Sequence, residues 1–125
     1  MSRLKSAART ILYQSGLLGL AHQVRNKNTL TVFMFHRVLP ANSSEYNRAE
    51  REYTFSCNGF GQCLDFLRTH YNIIDLDRLQ AHAECMAGLP DRAGLITFDD
   101  GWRDTLLYAL PELKKRRLPA VLFLA

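Results

Sequence analysis

The alternation of apolar and helical segments, the length and the composition of this chain together predict an α/β fold built on a parallel sheet. Four short segments rich in β-branched and aromatic residues alternate with segments of helical periodicity. Alternation of this kind is typical of a parallel sheet covered by helices. The 125 residues suffice for one domain or part of one, and 47% hydrophobic with 22% charged residues is the balance of a globular protein. A disordered or fibrous chain is therefore excluded.

The four predicted strands lie at residues 29–35, 71–76, 94–98 and 119–125. The first of them, TLTVFMF, is apolar on both faces, which is typical of a strand buried in a parallel sheet. Helices are predicted between the strands: after Ser56, from residue 77 to about residue 86, and from residue 102 to residue 117. The order after residue 28 is therefore β-α-β-α-β-α-β.

Capping residues and one proline set the predicted bounds of these helices. Ser56 and Asp77 are predicted N-caps, because their side chains can accept hydrogen bonds from the first amides of a helix. Gly88 is the predicted C-terminal stop of the second helix. Pro111 predicts a kink or two short pieces in the third helix, because proline has no backbone N–H. The polar stretch at residues 40–53 is predicted to be a loop.

Residues 1–28 are predicted to form a basic amphipathic helical segment that precedes the domain. Five basic residues and no acidic residue lie in this stretch. Its apolar residues recur roughly at helical spacing: Leu4, Ala8, Ile11, Leu12 and Leu18. Such a helix packs on the domain, which is the favoured role, or makes peripheral contact with a membrane surface. Gln14 and Ser15 interrupt the apolar stretch, which argues against a signal peptide. We expect a bacterial-type cytoplasmic or membrane-peripheral protein with no transmembrane span.

The charge and the cysteines argue against several other classes of function. The net charge is +4, and a second basic run at residues 114–117 closes a predicted helix, where cations offset the negative end of the helix dipole. No aromatic residues alternate with basic ones, so nucleic acid is not expected as a partner. Three cysteines without a CxxC spacing argue against a disulfide framework or a structural zinc knuckle. Cys63 and Cys85 are expected to be small core residues.

Polar residues follow the first and third predicted strands at the point where each strand ends. His36 and Arg37 follow the first strand, and Asp99, Asp100 and Gly101 follow the third. Because ligands bind beyond the carboxyl ends of parallel strands, we expect these residues to converge at one end of the sheet. Two adjacent carboxylates repel each other, and a bound cation can relieve this repulsion by holding one of them in its ionised form. The neighbouring carboxylate is then available to act as a base.

Structural roles for the same residues stay open at this point. Asp99 or Asp100 would also serve as an N-cap for the helix that begins near Trp102, and the two interpretations weigh about equally for an isolated Asp-Asp-Gly. A single histidine after a strand, such as His36, is more often a hydrogen-bonded structural residue than a ligand. A phosphoryl-transfer enzyme with Asp-Asp on magnesium ranks last, because no phosphate-binding glycine loop occurs.

The segment at residues 96–125 resembles the NodB-type polysaccharide deacetylases, which form carbohydrate esterase family four. It contains the family's T-F-D-D-G motif at residues 97–101, its A-L-P-x-L helix at residues 109–113 and the L-P-A strand that follows. Residues 33–40, FMFHRVLP, resemble the Y-H-x-V opening of one branch of the family, with Phe35 in place of the usual tyrosine. The resemblance covers residues 29–125.

The resemblance implies the N-terminal portion of a distorted (β/α) barrel, preceded by the basic amphipathic helix. It implies a hydrolase that removes acetyl groups from N-acetylated or O-acetylated polysaccharides such as peptidoglycan, chitin, poly-N-acetylglucosamine or xylan. A divalent metal, commonly zinc, activates the attacking water in this family. By position, Asp99 is implied as the general base and Asp100 as a metal ligand. The residues implied to bind substrate or line the site are His36, Arg37, Gly101 and Trp102.

The family's H-x-x-x-H-P motif, which supplies two further metal ligands, does not occur in the sequence up to Ala125. Catalytic zinc usually has three protein ligands. Residues 29–125 are therefore expected to be a partial deacetylase domain that ends before the histidine motif and is inactive by itself. The alternative is a non-catalytic protein that binds a membrane surface or a partner chain.

Overall fold

The computed structural model describes residues 24–125, so most of the predicted N-terminal helical segment lies outside the described residues. The strands are β1 (Leu30–Phe35), β2 (Arg37–Leu39), β3 (Thr54–Ser56), β4 (Asn72–Ile73), β5 (Ala93–Phe98) and β6 (Val121–Leu122). The helices are α1 (Ser44–Arg48), α2 (Cys57–His70), α3 (Leu76–Ala83) and α4 (Leu110–Arg116). A 3-10 turn occupies Arg51–Tyr53 and a π-helical segment occupies Thr105–Ala109. Within residues 24–125, every helix is too short or too polar to cross a membrane.

The main sheet is parallel, as the alternation of strands and helices predicts. Its central strand is β5, which pairs with β1 over its whole length, from Ala93 beside Leu30 to Phe98 beside Phe35. On the other side of β5, β4 pairs with its beginning and β6 with its end. Because β1 and β5 end level with each other, residues 36 and 99 leave the sheet side by side.

A second, two-stranded parallel sheet was not predicted. It pairs β2 with β3, with Arg37 beside Thr54. The connection between these strands was predicted to be a loop but contains α1, whose N-cap Ser43 accepts a hydrogen bond from the Tyr46 amide at 3.1 Å. β2 has only three residues, too few to display the alternation by which a strand is recognised in sequence.

The helix caps were predicted with mixed success. Ser56 caps α2, as predicted, by accepting a hydrogen bond from the Gly59 amide at 3.0 Å. The predicted N-cap of α3 was wrong: Asp75, not Asp77, accepts from the Arg78 amide at 2.8 Å. Since β4 has only two residues and ends at Ile73, the helix begins earlier than the apolar run at residues 71–76 suggested.

The helix predicted over residues 102–117 is divided, as Pro111 predicts. In the π-helical segment the Leu110 amide bonds to the Thr105 carbonyl, one residue further back than in an α-helix. Pro111 then occupies the first turn of α4, where its missing N–H costs nothing. The helix ends at Arg117, whose φ of 55° is left-handed.

Three aromatic residues form the core beneath the carboxyl ends of β1 and β5. The rings of Phe35 and Phe98 stack with their centroids 5.6 Å apart. Phe60 of α2 packs edge-on to both, at 5.1 Å from Phe35 and 5.9 Å from Phe98. Phe60 is 0% exposed and Phe98 is 1% exposed. Since Phe35 and Phe98 directly precede His36 and Asp99, this core supports the strand ends on which the predicted site lies.

An ion pair joins α2 to α4. Arg116 donates two hydrogen bonds to Asp65, from Nε at 2.8 Å and from Nη2 at 2.9 Å. The hydrogen bond from Arg116 lowers the pKa of the Asp65 carboxyl below its ordinary value, and the pair raises the pKa of the guanidinium. Bidentate geometry of this kind fixes the orientation of one helix against the other.

Two predictions about burial were wrong. The first strand is not buried on both faces, because Val32 and Met34 are 54% and 69% exposed. Cys85 is exposed rather than in the core, since it follows the end of α3 in a left-handed conformation. Cys63, by contrast, packs partly buried against the core, and this burial raises the pKa of its thiol.

Exposed apolar side chains predict that the 125-residue chain associates with itself. They include Leu106, Leu107, Leu122, Phe123 and Leu124. Apolar surface of this kind promotes association between copies. We expect the elution volume in size-exclusion chromatography to fall as concentration rises, and Leu106→Lys with Leu124→Lys to reduce this effect. A monodisperse monomer with one sharp unfolding transition would contradict the expectation.

Candidate functional site

The ends of β1 and β5 bring together the two segments that carry the predicted site residues. The Asp99 amide donates a hydrogen bond to the Phe35 carbonyl at 3.3 Å, which joins the two chain segments where they leave the sheet. One residue further along, His36 Nε2 lies 3.3 Å from Asp100 Oδ2. The structure therefore places His36, Asp99 and Asp100 at the same end of the sheet, where the sequence predicts them.

The backbone turns sharply directly after Asp99. Asp100 has a φ of 67° and Gly101 has a φ of 66°, so both residues are left-handed. Aspartate is among the few residues other than glycine that adopt this conformation, and a non-glycine residue held there stores about 1–3 kcal/mol of strain. The φ of Gly101 favours glycine, and a Cβ atom at position 101 would lie 2.6 Å from Leu124 Cδ2, so the Leu124 side chain would have to move. This turn returns Asp100 to contact with His36.

Arg37 is held by two contacts with the segment that follows the turn. Its Nε donates a hydrogen bond to Asp104 Oδ2 at 2.7 Å, and its Cζ lies 4.3 Å from the centroid of the Trp102 ring. Asp104 is buried, whereas Trp102 is about half exposed. The Trp102 and His36 rings are 6.5 Å apart between centroids. Arg37 and Trp102 therefore belong to the site, but Arg37 is occupied by protein contacts.

A cavity of about 500 Å³ opens at this end of the sheet. The strand ends contribute Asp99, His36, Arg37 and Trp102 to its lining. The connection from α1 to β3 contributes the opposite side, with Arg48, Glu50, Glu52 and Tyr53. The Tyr53 ring lies edge-on to His36 at 5.9 Å. Concave sites with a few converging polar groups are the usual form of a small-ligand site.

The two adjacent carboxylates lie in different environments. Asp100 contacts His36. Asp99 lines the cavity, and its carboxylate forms no hydrogen bond or ion pair with another residue of the described part of the chain. Among residues 24–125, one carboxylate therefore has a neighbour as partner and the other has none.

The donor atoms at this site suit a divalent metal in type but not in number. Carboxylate oxygens and imidazole nitrogens are common ligands of such ions. Over residues 24–125, no group of three or more His, Cys, Asp or Glu side chains is arranged to hold a metal ion. Because catalytic zinc usually takes three protein ligands, the described residues alone do not complete a zinc site.

Sequence reasoning missed Asp104, Tyr53 and the two glutamates of the cavity. Asp104 is joined to Arg37 across 67 residues of sequence, and no local pattern signals such a pair. Tyr53, Glu50 and Glu52 lie in a stretch that carries no motif and was predicted to be a loop. One general rule could have pointed to these residues. Loops that follow the strands of a parallel sheet at their carboxyl ends border the ligand site, and residues 40–53 were predicted to form such a loop.

Solved structures of known proteins resemble this chain in fold, although the sequence matches no family model and no curated protein. IcaB from Ammonifex degensii is 33% identical with a TM-score of 0.65, over 78% of this chain and 38% of that chain. A de-N-acetylase from Aggregatibacter actinomycetemcomitans is 23% identical with a TM-score of 0.65, over 74% of this chain and 36% of that chain. Streptococcus pyogenes deacetylase PplD, in complex with acetate, is 20% identical with a TM-score of 0.63, over 77% and 42%.

These likenesses bear on fold and on family. The two deacetylases, both under 25% identical, are similar to this chain in fold. The chain spans less than half the length of each of the three structures. The predicted fold class, the N-terminal portion of a distorted (β/α) barrel, is confirmed. Together with the Thr97–Gly101 motif at the end of β5, these likenesses fit an N-terminal part of a polysaccharide deacetylase domain, the family that the sequence resembles.

Proposed function

We propose that the gene product containing this chain is a metal-dependent hydrolase that removes acetyl groups from a polysaccharide. N-acetyl groups are the first substrate class and O-acetyl groups the second, in carbohydrate metabolism or in modification of a cell-envelope glycan. The observation that carries the proposal is the carboxylate of Asp99, which lines the cavity without a protein partner among the described residues. The deacetylases that share its fold support the same reaction.

Asp99 would act as the general base. Its carboxylate is available to accept a proton from the water that attacks the acetyl carbonyl, which makes that water a stronger nucleophile. The reaction breaks the bond between the acetyl carbon and the sugar nitrogen, releases acetate, and leaves the sugar amine, which takes up a proton as the bond breaks. Trp102 and Tyr53 border the same cavity and would confine the sugar ring beside Asp99.

Asp100 would supply one ligand to a divalent metal, for which zinc is the leading candidate, and residues outside the described range would supply the others. When bound, such an ion would polarise the acetyl carbonyl and stabilise the negative charge that develops on its oxygen. His36, whose Nε2 lies 3.3 Å from Asp100, would orient that carboxylate, as the neighbours of metal ligands commonly do. The Gly101 turn would hold both carboxylates at the strand end.

The proposal is tested by acetate release from acetylated glycans. The full-length gene product would be incubated with poly-N-acetylglucosamine, chitin oligomers, peptidoglycan and acetylated xylan, and the acetate would be quantified. We expect release from at least one of these glycans, loss of release after treatment with a chelator, and recovery on addition of zinc. The same glycans after chemical deacetylation serve as controls. No release from any of them with added metal would contradict the proposal.

A non-catalytic binding protein is the second candidate. It is favoured by the incomplete set of metal ligands among residues 24–125. The basic segment at residues 1–28 would then contact an anionic membrane surface. Co-sedimentation of the chain with anionic lipid vesicles, lost on removal of residues 1–28 and accompanied by no acetate release, would favour this candidate over the enzyme.

A further inference from the structure

Three consecutive residues at the end of β1 hold the segment that follows β5 at three successive points. The Phe35 carbonyl accepts from the Asp99 amide, and His36 contacts Asp100. Arg37 reaches beyond the turn to Asp104. The turn that carries both candidate functional carboxylates is therefore fixed at its start, its middle and its far end.

The ion pair between Arg37 and Asp104 is the anchor at the far end. Asp104 is 5% exposed, and a buried carboxylate is stable only when it is paired. The 2.7 Å distance from Arg37 Nε to Asp104 Oδ2 is typical of a strong, charge-assisted hydrogen bond. The other carboxylate oxygen of Asp104, Oδ1, has no hydrogen-bond partner in the described part of the chain. Among those residues, Arg37 is thus the side-chain partner that compensates the charge of the Asp104 carboxylate.

Arg37 also fixes Trp102, which lies between the turn and Asp104 in sequence. Its guanidinium lies over the indole ring, with 4.3 Å between Cζ and the ring centroid. The backbone of Arg37 is fixed in turn, because β2 pairs with β3 at Arg37 and Thr54. One side chain therefore connects a fixed strand to two residues that follow the left-handed Asp100 and Gly101. A backbone conformation of that kind persists only where its surroundings impose it.

We propose that Arg37 and Asp104 are positioning residues for the turn at residues 99–101, and that Arg37 acts through this ion pair rather than by binding the glycan. The effect that breaking this ion pair should have on the reaction rate rests on the proposed deacetylase function. The effect that it should have on the position of Trp102 does not depend on that function. Both consequences are measurable with the same variants.

The kinetic test compares Arg37→Ala, Arg37→Lys, Asp104→Asn and Asp104→Ala with the double variant Arg37→Ala/Asp104→Ala in the full-length gene product. Arg37→Ala should lower kcat by about 10²-fold with little change in KM, because small displacements of reacting groups cost about this much. Arg37→Lys should recover part of kcat, since it keeps a charge for Asp104. The double variant should be no slower than the slower single variant, because both changes break one interaction.

A matched pair elsewhere controls for the general loss of an ion pair. Asp65→Asn breaks the charge pairing with Arg116, which joins α2 to α4, and neither residue lines the cavity. It should leave kcat and KM unchanged. Asp104→Asn nearly preserves the shape of the side chain and keeps the test valid if Asp104→Ala does not fold. An increase in KM with unchanged kcat in Arg37→Ala would overturn the inference and indicate a contact with substrate.

The fluorescence of Trp102 gives a readout that does not require activity. It is the only tryptophan among the 125 residues, so the difference in emission between a variant and the unchanged gene product is used to report this site. Arg37→Ala and Asp104→Asn should each shift the emission to longer wavelength and increase quenching by acrylamide, whereas Asp65→Asn should do neither. If the unchanged gene product releases no acetate, the proposed function fails and this measurement still decides the inference. Emission and quenching identical to those of the unchanged chain in both site variants would overturn it.

Discussion

Replacing Asp99 with asparagine should lower the rate of acetate release by about 10²–10⁴-fold, the usual cost of losing a general base. Asparagine has nearly the same shape as aspartate but cannot accept the proton from water. The Asp99 carboxylate forms no ion pair with another described residue, so its replacement leaves no buried charge unpaired. The variant should therefore fold normally. Measurements of kcat and of the circular dichroism spectrum check both expectations.

Asp100→Asn is the matched control for the first prediction, because it changes the neighbouring carboxylate in the same way. A neutral amide is a poorer metal ligand than a carboxylate, so this variant should lose bound metal as well as rate. Asp99→Asn should lose rate and keep the metal. If metal analysis instead showed loss from Asp99→Asn and retention by Asp100→Asn, the roles of the two residues would be reversed.

Phe60→Ala should destabilise the fold by about 3–5 kcal/mol, the range for removal of a buried phenylalanine. Its ring is 0% exposed and packs edge-on to Phe35 and Phe98, the residues that precede His36 and Asp99. Since small domains are stable by about 5–15 kcal/mol, this one change would remove much of the total. The free energy of unfolding would be measured by urea denaturation.

Phe66→Ala provides the comparison for Phe60→Ala on the same helix. Phe66 is 47% exposed and contacts the His70 ring, so its removal creates no cavity in the core. We expect a change in the free energy of unfolding of about 0.5 kcal/mol or less. Equal destabilisation by the two changes would contradict the assignment of Phe35, Phe60 and Phe98 as the core that supports the site.

The sheet and the position of the Asp-Asp-Gly turn could be predicted because their signals are local and strong. β5 is a continuous apolar run that ends in a polar turn, and β1 ends in the same way at His36. In a parallel sheet all such ends lie on one side, so convergence follows without knowledge of the register. The structure adds that β1 and β5 are adjacent, which brings His36 within 3.3 Å of Asp100.

The far wall of the cavity and the pairing of Arg37 could not be predicted. β2 and β3 have three residues each, and a strand this short shows no periodicity. Arg37 and Asp104 are separated by 67 residues of sequence, and no local pattern signals a contact between them. Arg37 was therefore assigned by position to substrate binding or to the lining of the site. It lines the cavity, and its guanidinium contacts Asp104 and Trp102.

The burial of β1 was predicted wrongly for a physical reason. An apolar run on both faces indicates that both faces can be covered, and it does not identify what covers them. Val32 and Met34 are exposed over residues 24–125, and the chain spans 38% of the length of IcaB from Ammonifex degensii. A pattern of apolar residues therefore predicts the type of strand more reliably than its burial in a given chain.

The proposed role of Asp99 in deacetylation is tested most directly by quantifying both products, acetate and free amine, from one incubation. Acetate and free amine would be measured together as the full-length gene product acts on poly-N-acetylglucosamine, an acetylated glycan with one amide on each sugar. We expect equal amounts of acetate and amine from the unchanged protein, and at least about 10²-fold less of each from Asp99→Asn in the same time. Equal product formation by the unchanged protein and by Asp99→Asn would contradict this role.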